Sequence, residues 1–106
     1  MRGPRGVVFS RRAQAHWRAL SAREQRIILA AIQARRRVLG AGQTSRSVKR
    51  LRPEAISEFA LRLGRLRVFF DIEPGQLVIQ AIGRKDHDVL IFADGEIPPH
   101  WSQGVE

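Results

Sequence analysis

The stretch from Phe59 to Ile72 constrains this chain more than any other. Phe59, Leu61 and Leu63 alternate with Ala60 and Arg62; past Gly64, Leu66, Val68, Phe70 and Ile72 alternate with Arg65, Arg67, Phe69 and Asp71. A period of two puts each set on its own face of a pleated strand, so the pattern predicts two antiparallel strands folded about Gly64. Glu73-Pro74-Gly75-Gln76 has proline and glycine in the order of a type II turn, and Leu77-Val78-Ile79-Gln80-Ala81-Ile82 is the strand that returns. Gly83 to Asp88 is expected to be a charged turn, with a last strand from Val89 to Phe92 before Asp94-Gly95.

Upstream the period is helical. Val7-Val8-Phe9 is a short β-type run, and Ser10 can cap a helix in which Ala13, Trp17 and Leu20 share one side. Ser21-Ala22-Arg23-Glu24 has the capping-box form, in which hydroxyl and carboxylate each satisfy an orphan backbone N–H. The second helix follows as a stripe of Ile28, Ala31, Ile32, Arg35 and Leu39, with Gly40 suited to a left-handed end, and Ala41 to Arg46 is a loop. The order predicts an α+β domain over residues 1–97, with a loosely held tail at 98–106. An N-terminal strand and an αα-hairpin pack on one face of a twisted antiparallel sheet of about four strands. The other face, carrying Arg62, Arg65 and Arg67, is expected to be exposed.

With 106 residues and 43% apolar content, the chain can build one modest core. The absence of cysteine excludes disulfides and thiolate metal sites. Asp86, Asp88, Asp94 and Glu96 lie in turns without an EF-hand order, so no metal and no cofactor is expected. The run Leu77–Ile82 falls far short of the roughly 20 apolar residues that span a bilayer, and Val7-Val8-Phe9 is too brief for a signal peptide. A reducing cytoplasm is the expected compartment, with no membrane partner.

Charge narrows the partners. Nineteen basic against ten acidic residues give +9, and arginine outnumbers lysine seventeen to two. Residues 1–70 hold seventeen basic and three acidic side chains (+14), whereas residues 71–106 hold two and seven (−5). The partner should be anionic, either nucleic acid or an acidic protein. Arg62, Arg65 and Arg67 stand together without a carboxylate, which favours function over mere solvation because like charges across a hairpin repel. Arg35-Arg36-Arg37, with Arg23 and Arg26, reads as a solvated helix flank that can steer the protein toward phosphate. His16 and Trp17 read as packing residues, and His100 falls in the tail.

Three segments carry a resemblance: Val48-Lys49-Arg50-Leu51, the hairpin Phe59 to Ile72, and Ile79-Gln80-Ala81-Ile82-Gly83-Arg84-Lys85. In order and spacing they resemble the toxins of the RelE/ParE superfamily, which show a basic "V-K-x-L" segment, an "L-R-x-G-x-x-R-V-x-[FY]" hairpin and an "I-G-[HR]-[RK]" turn. The resemblance implies the toxin of a type II toxin–antitoxin system, neutralised by a cognate antitoxin and meeting operator DNA only through it. Ribosome-dependent members cut messenger RNA in the decoding site, using the 2′-hydroxyl as nucleophile, and inhibition of translation by such cleavage is the function the resemblance leads us to expect here, with the ribosome and messenger RNA as partners. For that chemistry the resemblance implies that Arg67 would stabilise the phosphorane, Lys49 and Arg62 would position the backbone, and Arg84 or Lys85 would neutralise the leaving group. Arg50 and Arg65 would add RNA contacts. This sequence departs from such members in having no tyrosine: Leu90 to Phe92 stands in that neighbourhood, and Arg84 stands where a subset has histidine, with His87 three residues on. The alternatives are a ParE-like, non-enzymatic inhibitor of DNA gyrase and a catalytically inactive homologue that only binds antitoxin.

Overall fold

The computed structural model describes residues 6–98. Strand β1 (Val7–Phe9) leads into helices α1 (Arg11–Ala19), α2 (Ala22–Ala34) and α3 (Arg36–Gly40), and five further strands follow: β2 (Val48–Arg50), β3 (Phe59–Leu63), β4 (Leu66–Glu73), β5 (Gln76–Asp86) and β6 (Val89–Phe92). Residues 1–5 and most of the expected loose tail, residues 99–106, lie outside the described residues; Pro98 is buried.

Both helix starts follow from their caps. Ser10 Oγ accepts the N–H of Ala13 at 3.1 Å, and Ser21 and Glu24 close the reciprocal capping box. The helical stripe buries Ile28, Ala31, Ile32 and Leu39, as its spacing requires. The helix does not run unbroken to Gly40: Arg35 leaves helical geometry at φ −112°, and a third short helix follows. Gly40 lies within that helix, and the left-handed position expected there falls on Gly42 at φ +68°.

The sheet has six strands rather than about four, and it is mixed rather than antiparallel, in the order β1-β5-β4-β3-β2 with β6 also paired to β5. The additional strands are β1, expected as an N-terminal strand on one face but here part of the sheet, and β2, whose three residues are too few for alternation to declare it. β1 runs parallel to β5, with Val7 opposite Leu77 and Phe9 opposite Ile79. The hairpin about Gly64 forms in the expected register, Phe59 opposite Phe70 and Leu63 opposite Leu66, and Gly64 takes φ +62°. Gly83 to Asp88 is not a turn throughout. β5 continues to Asp86 and pairs with β6, so only His87 and Asp88 turn. Gly83 permits this, because a Cβ there would stand 2.7 Å from the Ile91 carbonyl oxygen.

One face of the sheet packs Val7, Phe9, Leu61, Val68, Phe70 and Ile79 under the helices, with the Phe59 and Phe70 rings stacked at 5.5 Å. The opposite face, expected to be exposed, carries a second apolar cluster of Leu51, Ala60, Phe69, Ala81, Leu90 and Phe92. The segment after β2 covers it through Ala55 and Ile56. β1 stops beside Ile79 and β6 begins beside Gly83, which leaves that edge of β5 without a strand neighbour between them, β4 pairing only its other edge. Side chains and a turn fill that gap: Ser10 Oγ donates to the Gln80 carbonyl at 3.1 Å, His16 Nδ1 accepts the Ile82 N–H at 2.9 Å, and the Ala93 N–H donates to the Ile82 carbonyl at 2.9 Å. His16 is thus a packing residue, fully buried and tilted against the Phe92 ring at 4.7 Å.

Candidate functional site

Strand register decides which of the basic residues meet. Lys49 lies opposite Ala60, Arg62 opposite Arg67, and Arg67 opposite Gly83, two residues before Lys85. Alternation therefore brings Lys49, Arg62, Arg67 and Lys85 to one face of the sheet. Arg84 goes to the other, helix-covered face, and Arg65 occupies the turn after Gly64. Arg50 lies opposite Phe59 at the sheet edge.

Arg67, expected to face solvent, is only 5% exposed. Its Nη1 donates to the carbonyls of Gly64 at 2.6 Å and Leu66 at 2.9 Å, so the guanidinium binds the turn of its own hairpin. The physical reason is the register. Two arginines directly opposite one another repel, and bending one back onto carbonyl dipoles separates the charges while its aliphatic stem covers apolar neighbours.

Arg84 is held as firmly. Its Nε and Nη2 donate to the two oxygens of Glu24 at 2.8 and 2.7 Å, a bidentate pair across the interface of α2 and β5. The Arg84 hydrogen bond is the largest influence on Glu24, whose carboxyl is pulled down from 4.5 to about 2; the same bond raises Arg84. Glu24 Oε1 also accepts the Ser21 N–H at 3.0 Å, so one carboxylate joins the α1–α2 turn to the sheet.

The remaining expected residues divide. Arg65 stands 3.3 Å from Asp86 and donates to the Lys85 carbonyl at 3.4 Å, and Arg50 pairs with Glu58 at 2.7 Å while lying over the Phe59 ring. Lys49 and Lys85 are half-buried and make no side-chain hydrogen bond or ion pair among the described residues. Arg62 is exposed.

No group suited to proton transfer joins them. The Leu90–Phe92 strand offers two buried apolar side chains. His87 is 96% exposed at the tip of the β5–β6 turn, and His16 lies inside the core, its pKa lowered chiefly by burial, with Asp94 acting in the opposite sense. Asp71 accepts from the Glu58 N–H at 2.6 Å and from Gln80 at 2.9 Å. Among the described residues no three metal-ligating side chains converge, and no helix is long and apolar enough to cross a membrane. An open groove of about 510 Å³ lies over the sheet edge, with Leu51, Pro53 and Ile56 along it and Arg50, Glu58 and Asp71 at its rim.

Sequence reasoning missed the carboxylates that answer these arginines. Glu24 is 60 positions from Arg84, and its capping-box role accounted for it locally; only the packing of α2 on β5 brings the two together. No family model, curated protein or solved structure matches the chain.

Proposed function

We propose that this chain is the toxin of a type II toxin–antitoxin pair, RelE/ParE-like in fold, and that it acts in the cytoplasm by binding rather than cutting, as a non-enzymatic inhibitor of DNA gyrase. The observation that carries the choice is the position of Arg67. A group that stabilises a phosphorane must reach the phosphate, and this guanidinium is buried against the carbonyls of Gly64 and Leu66. Arg84 is likewise engaged by Glu24, and among the described residues Lys49 makes no hydrogen bond or ion pair with a histidine or carboxylate. The sheet face that carries Lys49 suits binding: Lys49 and Lys85 stand half-buried on it without a side-chain hydrogen bond or ion pair among the described residues, and Arg62 is exposed beside them. An acidic antitoxin would use the same cations.

Purified protein added to a gyrase supercoiling assay tests this. Inhibition that is reversed by the co-expressed antitoxin is the expected result. Undisturbed gyrase, together with ribosome-dependent cutting of message, would transfer the proposal to messenger RNA cleavage. The second reading has one observation in its favour, the shared face of Lys49, Arg62 and Lys85.

A further inference from the structure

Eight arginines lie between Arg11 and Arg37 against a single carboxylate, Glu24, which Arg84 occupies from the sheet. Three of the eight are engaged: Arg35 and Arg36 donate to the carbonyls of Ala31 and Gly6, and Arg12 lies 5.9 Å from the centre of the Phe92 ring. The other five, Arg11, Arg18, Arg23, Arg26 and Arg37, are exposed and make no side-chain hydrogen bond or ion pair among the described residues. The helical layer therefore presents unneutralised positive charge, whereas the arginines of the hairpin and of β5 are bound to the protein itself.

Three of these cations lie on the outer side of this layer. Arg23, Arg26, Ala30 and Gln33 follow one another at three- and four-residue steps with Ala34 beside Gln33, all exposed in an outer stripe of α2, and exposed Arg37 follows in α3 after the break at Arg35. At roughly 1.5 Å per residue, Arg23 and Ala34 stand about 16 Å apart along the unbroken α2. The stripe contains no acidic side chain and nothing bulky at its centre.

We propose that this stripe binds the major groove of duplex DNA. That groove, about 12 Å wide, admits a helix; α2 laid in it sets Arg23 and Arg26 against phosphates, and Arg37 in α3 offers a further contact beyond the far end of α2. Gln33 at the centre can hydrogen-bond an adenine edge, and Ala30 and Ala34 can meet thymine methyl groups. Duplex RNA fits less well, because its A-form major groove is deep and narrow. An acidic protein helix would need an apolar centre to bury, and the stripe is bordered only by Ile27 and Val38, each about two-fifths exposed. The inference goes beyond the toxin reading, in which DNA is met through antitoxin or gyrase, and it stands or falls without it.

Fluorescence anisotropy with a labelled mixed-sequence DNA duplex, titrated with the full chain alone at several salt concentrations, tests the proposal. Arg23→Gln with Arg37→Gln should weaken binding roughly tenfold and lower the slope of log affinity against log salt by about 2, one unit per lost phosphate contact. Arg46→Gln with Arg52→Gln removes the same charge away from the stripe and should change neither by much; all four sites are exposed, and circular dichroism confirms folding. Equal losses from both pairs would show that net charge alone attracts DNA. Tighter binding of an RNA duplex, or of an acidic helical peptide, would overturn the choice of DNA, as would no DNA binding by the unmutated chain.

Discussion

Truncating Arg67 to alanine leaves the carbonyls of Gly64 and Leu66 without their donor inside a nearly closed site. The expected cost is about 2 kcal/mol, read as a lower urea midpoint, because a buried acceptor loses its partner and the stem loses its packing. An exposed phosphate-gripping arginine would instead leave stability unchanged. Two other residues make stability depend on pH in separate windows. His16 has its pKa lowered from 6.5 in the folded state, so the unfolded chain takes up the proton first. Its contribution is complete above about pH 6.5 and declines as pH falls below it, since protonating Nδ1 destroys the acceptor for the Ile82 N–H. Glu24, lowered from 4.5 to about 2, contributes fully above 4.5 and loses that contribution as pH falls toward 2. Denaturation midpoints followed from pH 8 to pH 3 should fall in two stages. His16→Gln should flatten the first and Glu24→Gln the second, the latter costing about 1 to 2 kcal/mol at neutral pH after allowing for partial exposure.

Between elements, the β5–β6 hairpin is where local preference and fold disagree. His87 adopts φ +56°, a left-handed conformation that side chains with a Cβ resist. His87→Gly should raise the thermal midpoint, by about 1 kcal/mol in stability. Four residues earlier the constraint reverses: Gly83→Ala would drive a Cβ onto the Ile91 carbonyl and should cost about 1 to 3 kcal/mol by prising β6 from β5. These two positions also explain what could be foreseen. The Gly64 hairpin, the Pro74-Gly75 turn and both helix caps were legible, because each is specified by residues within four or five positions of one another. The strand character of Gly83 to Asp86 was hidden by its charge, since its side chains sit at a sheet end where solvent reaches them. β2 was hidden by brevity, and β1, legible as a strand at Val7–Phe9, gave no sign that it would join the sheet, because its parallel partner is β5, 70 positions away.

At the scale of the whole molecule, the basic composition resolves into two populations with different roles. Most arginines of the hairpin and of β5 are answered from within, Arg67 by carbonyls, Arg84 by Glu24 and Arg65 by Asp86. The unanswered ones lie mainly on the helices, which the sequence alone presents as an ordinary solvated flank. Alternation correctly placed Arg62 and Arg67 on one face of the sheet. It carried no information on whether each charge had a partner, because those partners arrive from Glu24, 60 positions from Arg84, or from backbone atoms that a sequence does not display. The central claim is that the buried Arg67 and the paired Arg84 leave this chain able to bind but not to cut. Primer extension on abundant messages after induction measures that most directly. Full-length products alongside arrested growth are predicted, and new ends positioned by codon would contradict the account.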